Sequence, residues 1–307
     1  MGDIESTGDF NLALESYEQA FTLTQDSVQQ SIIKVKIGRL HAATGNVQGV
    51  PLLQEAVETL DPDTHGNELA LAIASLGRFH HNRGQDSLAL EQLEKARVIA
   101  EPLKDIETLS YIYIFLAGAY QHLADFERSN EWGRRQIELG SEAKYAFMEA
   151  VGHEYLAENN AFMGRWEEAL EHAERDEEIG QQNGLSDRVR WAKMVKLWAL
   201  HGMGRPELAI EEGSLSLEQA ETYGDRRLAV LSGAQLARAY ADCNDFDTAR
   251  QHAELSTERA VELDQAYMIG TAQDSLAYVQ GLQGEWQQAL TSRELTTQRP
   301  LRDPTIN

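Results

Sequence analysis

The strongest constraint on this chain is an internal repeat with a period of about 40 residues. A turn residue, followed by a polar residue and often by an aromatic one, recurs at intervals of 37, 39, 40, 40, 40, 40 and 40 residues. The eight turn positions are Gly8, Gly45, Gly84, Ala124, Gly164, Gly204, Asn244 and Gly284. Such a period is typical of stacked structural units, each of which buries an apolar face against its neighbours.

Small residues flank each turn position on both sides. Five residues after the turns, six of the eight positions are alanine. Seven residues before them, where the chain extends that far, stand Gly38, Gly77, Ala117, Ala157, Leu197, Ala237 and Ala277. The segments between turns are rich in Ala, Leu, Glu and Gln, all good helix formers, and alternating strand patterns are absent. The sequence therefore predicts an all-α chain in which each repeat is a hairpin of two closely packed antiparallel helices.

The spacing within one repeat resembles that of the tetratricopeptide repeat (TPR) family. Its small, aromatic, turn, aromatic, small and small positions are matched by Ala237, Tyr240, Asn244, Phe246, Ala249 and Ala253. Pro206 and Ser129 depart from the pattern without breaking the period. The 40-residue period resembles the long-helix variant found in animal polarity scaffolds and in sensor arms of bacterial signalling ATPases, including the maltose regulator.

That resemblance implies a right-handed superhelical solenoid of about eight repeats. Residues 1–298 are expected to form the repeat domain, with residues 299–307, which include two prolines, as a tail or linker. Only seven residues precede Gly8, so we expect the first repeat to be incomplete and the chain to be a piece of a larger protein.

Composition restricts the classes of partner and compartment. The formal net charge is −23, which would repel a nucleic-acid backbone, and the chain has a single cysteine, Cys243. The longest uncharged run, residues 108–124, is too short for a membrane span, and the first ten residues lack the pattern of a secretory signal. We expect a cytoplasmic protein that binds neither nucleic acid nor membranes.

The candidates for catalytic or metal chemistry each lack a required partner. His153 and Glu154 begin a zinc-protease motif, but its second histidine would be residue 157, which is Ala157. His80 and His81 are neighbours on a helix and point about 100° apart, so as a pair they give no ligand geometry. We therefore expect no cofactor, no metal and no enzymatic activity.

The TPR resemblance also implies where a partner binds: on the first helix of each hairpin, 13, 10, 6, 3 and 2 residues before the turn. This projection places the partner-binding residues in a concave groove. The candidates are Arg78, Asn82, Tyr111, Ile114, His122, Phe162, Trp191, Met194, Trp198, His201 and Arg238.

The segment 187–203 is the most unusual, because its apolar residues form two stripes. Trp191, Met194 and Trp198 make the second stripe, which either packs on a neighbouring repeat or lines a binding groove. The same segment carries an island of basic residues, which either attracts an anionic ligand or is neutralised by the acidic residues of segment 167–180.

Three functions are compatible with these features. The first is a non-enzymatic module that holds a protein or peptide segment in its groove. The second is the ligand-sensing arm of a bacterial regulatory ATPase or transcription regulator. The third is a scaffold that self-associates through exposed ends of the solenoid.

Overall fold

The computed structural model of the protein describes residues 10–298, and this part of the chain is helical throughout. The helices are α1 (Phe10–Leu23), α2 (Ser27–Ala43), α3 (Gly49–Thr59), α4 (Gly66–Asn82), α5 (Asp86–Ala100), α6 (Ile106–His122), α7 (Phe126–Ala143), α8 (Ala146–Phe162), α9 (Trp166–Asn183), α10 (Ser186–Gly202), α11 (Pro206–Tyr223), α12 (Arg226–Asp242), α13 (Phe246–Leu263), α14 (Ala266–Leu282) and α15 (Trp286–Gln298). A short 3-10 turn, Glu101–Leu103, follows α5. The turn predicted at Gly8 and the tail predicted for residues 299–307 lie outside the described residues.

Every predicted turn position between residues 10 and 298 has left-handed backbone geometry. The φ angles of the seven residues from Gly45 to Gly284 lie between 57° and 79°, including those of Ala124 and Asn244. Aspartates that follow several turns cap the next helix: the side chain of Asp125 accepts from the amide of Arg128, and Asp245 accepts from Thr248. The all-α hairpin fold predicted from the repeat is confirmed.

A second set of turns joins successive hairpins from α5 to α14. Lys104, Lys144, Gly184, Gly224 and Asp264 have φ between 51° and 70° and also stand 40 residues apart. The polar and small residues at these positions tolerate the left-handed conformation, which allows the preceding helix to end.

The small residues beside the turns allow the two helices of a hairpin to approach closely. A Cβ on Gly77 of α4 would lie 2.7 Å from Cγ of Leu93 on α5, so only glycine fits there. In the hairpin of α10 and α11 the sizes are exchanged: Leu197 replaces the small residue, and it faces Gly213, where an added Cβ would lie 2.7 Å from Cδ2 of Leu197. This exchange explains why Leu197 departs from the pattern without disturbing the repeat.

The chain divides into two compact units, residues 1–155 and 156–307, and the division falls within α8. The core of the first unit is built from fully buried apolar residues such as Leu53, Leu93, Ile112 and Leu116. The core of the second contains Leu197, Leu236, Leu228 and Met268. No helix within residues 10–298 is long and apolar enough to cross a membrane.

The two lysines of the basic island of α10 are paired with acids on both neighbouring helices. Lys196 lies 3.0 Å from Glu177 on α9 and 2.8 Å from Glu212 on α11, and Lys193 contacts the same two carboxylates at 3.2 and 3.4 Å. The positive charge of these lysines is therefore neutralised by segment 167–180, as one of the two alternatives predicted, and also by α11.

Candidate functional site

The second unit contains a cleft lined by the first helices of four successive hairpins. Its volume is about 620 Å³. The lining residues are Glu158, Ala161 and Phe162 of α8, Trp166 of α9, Met194, Trp198, His201 and Gly202 of α10, Leu231, Gln235 and Arg238 of α12, and Tyr267, Gly270, Thr271 and Asp274 of α14. The volume and the mixed lining are typical of a ligand site.

One wall of the cleft is aromatic. The rings of Phe162 and Trp198 meet edge to face with centroids 4.6 Å apart, and Trp198 packs against buried Ala161 and Ala199. Phe162 is 38% exposed although it is a large apolar side chain, whereas Met194 at 2% contributes to the floor. An exposed ring held in a fixed orientation by its neighbour can receive an apolar side chain of a partner.

Trp166 packs against α10 and also lines the cleft. A Cβ on Gly202 would overlap the indole of Trp166, so the ring lies directly against the backbone of α10. In the structure the ring contacts the next hairpin and also lines the cleft.

The part of the lining that α12 and α14 supply is charged. The guanidinium of Arg238 lies 2.9 Å from Asp274 and over the ring of Tyr278 at 4.6 Å. Asp242 accepts a hydrogen bond of 2.5 Å from the Tyr278 hydroxyl and lies 2.8 Å from Nε2 of His201. Burial, together with this hydrogen bond, raises the pKa of Tyr278 to about 12, so the hydroxyl remains a donor at neutral pH. The network links α10, α12 and α14 beside the cleft.

The carboxyl group of Glu158 and the phenol of Tyr267 also line the cleft. Burial, with the negative charge of Glu158 nearby, raises the pKa of the Tyr267 hydroxyl. Arg238 and Asp274 form an ion pair, so a charged group of a ligand would contact two opposite charges whose side chains can rearrange. The cleft can therefore hold an apolar side chain on one wall and a polar or charged group on the other.

The structure brings five of the predicted binding residues together here. They are Phe162, Met194, Trp198, His201 and Arg238. Trp191 is separate from them, since its half-buried ring packs against the core cluster that includes Leu228 and Met268. Trp191 packs in the core, whereas Trp198 both packs against buried Ala161 and Ala199 and lines the cleft.

The remaining candidates lie in the first unit, where they contact one another or the backbone. Arg78 is buried, with its guanidinium 6.0 Å from the ring centroid of Tyr111. Asn82 donates to the carbonyl oxygens of Ala42 and Ala43. Ile114 is half-buried on α6, and His122 contacts a carboxylate of α5.

Sequence reasoning missed four lining residues outside the projected register: Trp166, Gln235, Tyr267 and Gly270. Tyr267 and Gly270 stand 17 and 14 residues before their turn, beyond the positions of the common, shorter repeat. The extra helical turn of a 40-residue repeat is the signal that could have indicated them, since residues three and four apart share a face.

No family model matches this chain, and no curated protein matches its sequence. It is similar in structure to a signal transduction ATPase with numerous domains (STAND) from Pyrococcus horikoshii that has a tetratricopeptide repeat sensor. The TM-score is 0.62 at 15% identity, over 91% of this chain and 43% of that one.

Two further solved structures share the fold over more of their own length. Aspartyl phosphate phosphatase F from Bacillus subtilis matches with a TM-score of 0.69 at 10% identity, over 90% of this chain and 73% of the phosphatase. NprR in complex with its cognate peptide NprX matches with a TM-score of 0.60 at 12% identity, over 89% and 78%. These likenesses show that the chain has a TPR-like helical-repeat fold, and the chain spans less than half of the STAND protein.

Proposed function

We propose that this chain is a non-enzymatic, peptide-binding regulatory module whose binding site is the cleft of the second unit. The observation that supports it most directly is the pairing of an aromatic wall, Phe162 with Trp198, and a charged wall, Arg238 with Asp274, across one cleft. Four hairpins contribute side chains, so an extended segment of several residues can contact all of them. Similarity to a TPR-like peptide receptor supports the same proposal.

The proposed ligand is a short peptide with one large apolar side chain and an acidic group nearby. The apolar side chain would pack against Phe162, Trp198 and Met194, where it displaces water from an exposed aromatic surface. The acidic group would accept hydrogen bonds from Arg238, which is already oriented by the ring of Tyr278. Residues 1–298 would act as the repeat domain in a cytoplasmic setting, without nucleic acid or membrane as partner.

The test is a selection of random peptides on the immobilised chain, followed by fluorescence polarisation with the selected sequences. Trp198→Ala should weaken binding by about thirtyfold or more, as expected for a central aromatic contact. Trp286→Ala is the matched control, because Trp286 is 68% exposed and lies outside the cleft lining. Equal affinity of the Trp198→Ala variant and the wild type, or a selection that yields no binder, would contradict the proposal.

Arg238 tests the charged wall separately. Arg238→Gln should weaken binding of peptides with an acidic residue by about tenfold and leave the corresponding neutral peptides nearly unaffected. Arg226→Gln is the control, since Arg226 makes an exposed pair with Glu262 on the surface. If both variants weaken binding equally, the effect arises from net charge and the cleft has no specific acidic subsite.

A second candidate is a sensor arm, in which the bound ligand changes an attached effector domain. The similarity to the STAND protein with a tetratricopeptide repeat sensor favours it. Hydrogen exchange separates the two candidates: a sensor should show ligand-dependent protection both in α10, α12 and α14 and in helices outside the cleft, whereas a simple binder should show it only at the cleft. Self-association through the ends stays a prediction, which light scattering at several concentrations would test.

A further inference from the structure

The first unit contains a buried cluster of three potential metal ligands, which we call the polar triad: His81 of α4, Asp86 of α5 and His122 of α6. Nδ1 of His81 lies 2.5 Å from Asp86 Oδ1, and Nδ1 of His122 lies 3.4 Å from Asp86 Oδ2. The two imidazoles stack with centroids 4.3 Å apart. One ligand atom from each residue lies within 4.8 Å of the other two.

The position of Asp86 within its repeat makes this arrangement unusual. Asp86 stands two residues after its turn, where other repeats have Phe126, Trp166, Phe246 and Trp286. The residue is 7% exposed, so a carboxylate is buried at a position that holds a ring in these other repeats. A buried carboxylate is costly unless positive charge or several hydrogen bonds compensate it, which indicates that this site has a specific partner.

We propose that the polar triad binds a Zn²⁺ ion through His81, Asp86 and His122. Two imidazole nitrogens and one carboxylate oxygen form a ligand set that suits Zn²⁺, with the fourth position left for water. Tetrahedral zinc with bonds of about 2.0–2.1 Å places its ligand atoms about 3.4 Å apart. In the triad Nδ1 of His81 lies closer to Asp86 than this value and Nδ1 of His122 lies at it, so binding requires His81 and Asp86 to separate by about 1 Å and the stacked imidazoles to turn until both ring planes meet at the ion.

The surroundings of the triad fit a bound cation. Gly118 leaves room beside the triad: a Cβ there would lie 3.2 Å from Nε2 of His81 and 3.0 Å from the hydroxyl oxygen of Tyr155. The side chain of His122 is 18% exposed and gives the ion a route from solvent.

The ion would connect two successive hairpins of the first unit. His81 and Asp86 belong to the hairpin of α4 and α5, and His122 belongs to the hairpin of α6 and α7. A ligand that binds only the folded arrangement stabilises it, so Zn²⁺ should raise the melting temperature of the chain. This role is independent of peptide binding in the second unit.

The experiment is calorimetric titration of Zn²⁺ into the untagged full chain after chelator treatment and dialysis. We expect one high-affinity ion per chain, weakened at least about tenfold by His122→Ala or Asp86→Asn. His80→Ala is the matched control, since His80 is on the same helix and lies 2.8 Å from Gln85, outside the triad. Binding that is unchanged in His122→Ala and Asp86→Asn, or the absence of a site tighter than those of other surface acids and histidines, would overturn the proposal.

A second readout on the wild-type chain covers the case in which a variant fails to fold. Addition of Zn²⁺ should shift the imidazole ¹⁵N resonances of His81 and His122 together, with the other histidines unmoved. Substitution by Co²⁺ should give the visible absorption of a tetrahedral site with nitrogen and oxygen ligands. Shifts confined to other histidines would place the metal elsewhere and contradict the assignment.

Discussion

Equivalent positions of two repeats have opposite chemistry in this molecule. The polar triad belongs to the repeat with its turn at Gly84. His81 stands three residues before this turn, Asp86 stands two residues after it, and His122 stands two residues before the next turn. In the repeat with its turn at Gly164, the same positions hold Ala161, Trp166 and Gly202, which we call the apolar triad, and all three line the cleft.

The comparison shows how one repeat geometry supports two kinds of site. In the apolar triad the indole of Trp166 lies on the bare backbone of Gly202, and no space remains between the hairpins at that point. In the polar triad a shorter carboxylate takes the place of the ring, and imidazoles take the places of Ala161 and Gly202 to meet it. The backbone sets the positions, and three side chains decide between packing and coordination.

The largest effect is expected from removal of the ring in the apolar triad. Trp166→Ala should lower the free energy of unfolding by about 2–4 kcal/mol, because a half-buried indole loses its contact with α10 and leaves a gap. Urea denaturation measures it. Trp286→Ala, whose indole is 68% exposed, should change stability by no more than about 0.5 kcal/mol. Equal losses in the two variants would show that the contact with Gly202 contributes little.

A smaller effect tests whether Trp166 and Gly202 act as a pair. Gly202→Ala should cost about 1–3 kcal/mol, since the added Cβ overlaps the indole. In the Trp166→Ala background the same change should be nearly neutral or stabilising, because the overlap is gone and alanine favours the helix by about 1 kcal/mol. The double-mutant cycle should thus give a coupling energy well above zero, and additive effects would contradict the contact.

The polar triad should respond differently to single and combined substitutions. In metal-free buffer, Asp86→Ala should cost about 1–3 kcal/mol, because two imidazoles lose their shared acceptor in a buried site. Replacement of the whole set by the apolar one, His81→Ala with Asp86→Trp and His122→Gly, should recover much of that loss and abolish zinc binding. A triple variant less stable than Asp86→Ala would show that the two triads are not interchangeable.

The smallest effect concerns the loss of stability of the second unit at acid pH. The apolar triad has no titratable side chain and does not contribute to it. Burial alone would raise the pKa of Glu177, but hydrogen bonds and ion pairs with Lys196 and Lys193 outweigh it and lower the pKa. A carboxyl with a lowered folded pKa stabilises the protein above its unfolded pKa of about 4.3, and the contribution is lost as pH falls through the folded pKa.

The corresponding measurement is the stability of wild type and Glu177→Gln between pH 7 and pH 3. The difference between them should be about 1 kcal/mol at neutral pH and should vanish in acid. Glu178→Gln is the control, since Glu178 is exposed and contacts Arg175 and Gln182 of its own helix. A difference that persists at pH 3 would show that Glu177 acts through packing and not through its charge.

Most of the fold could be predicted from the sequence because the repeat is carried by backbone requirements. Left-handed turns and close helix contacts restrict the residues at those positions, and their recurrence is visible in the sequence. The second set of turns was harder to predict, since Lys104, Lys144 and Asp264 adopt the left-handed conformation although their residue types do not indicate it.

The candidate sites were predicted less completely, because side chains meet across repeats. The register of the first helices indicated Phe162, Trp198 and Arg238, but Tyr267 required the extra turn of the longer helix. His81 was considered beside its neighbour His80, whereas its structural partner is His122, 41 residues further along the chain. Alignment of the repeats at their turns would have indicated that His81 and His122 lie close together.

The most direct test of the cleft uses the five tryptophans as reporters. Each indole N–H gives one resonance in a ¹H–¹⁵N spectrum, and single Trp→Phe variants assign them. Titration with a peptide selected on this chain should shift Trp198 and Trp166, which line the cleft, and leave Trp132 of the first unit and exposed Trp286 unmoved. Shifts at Trp132 or Trp286 with Trp198 and Trp166 unchanged would place the peptide elsewhere and contradict the proposed function.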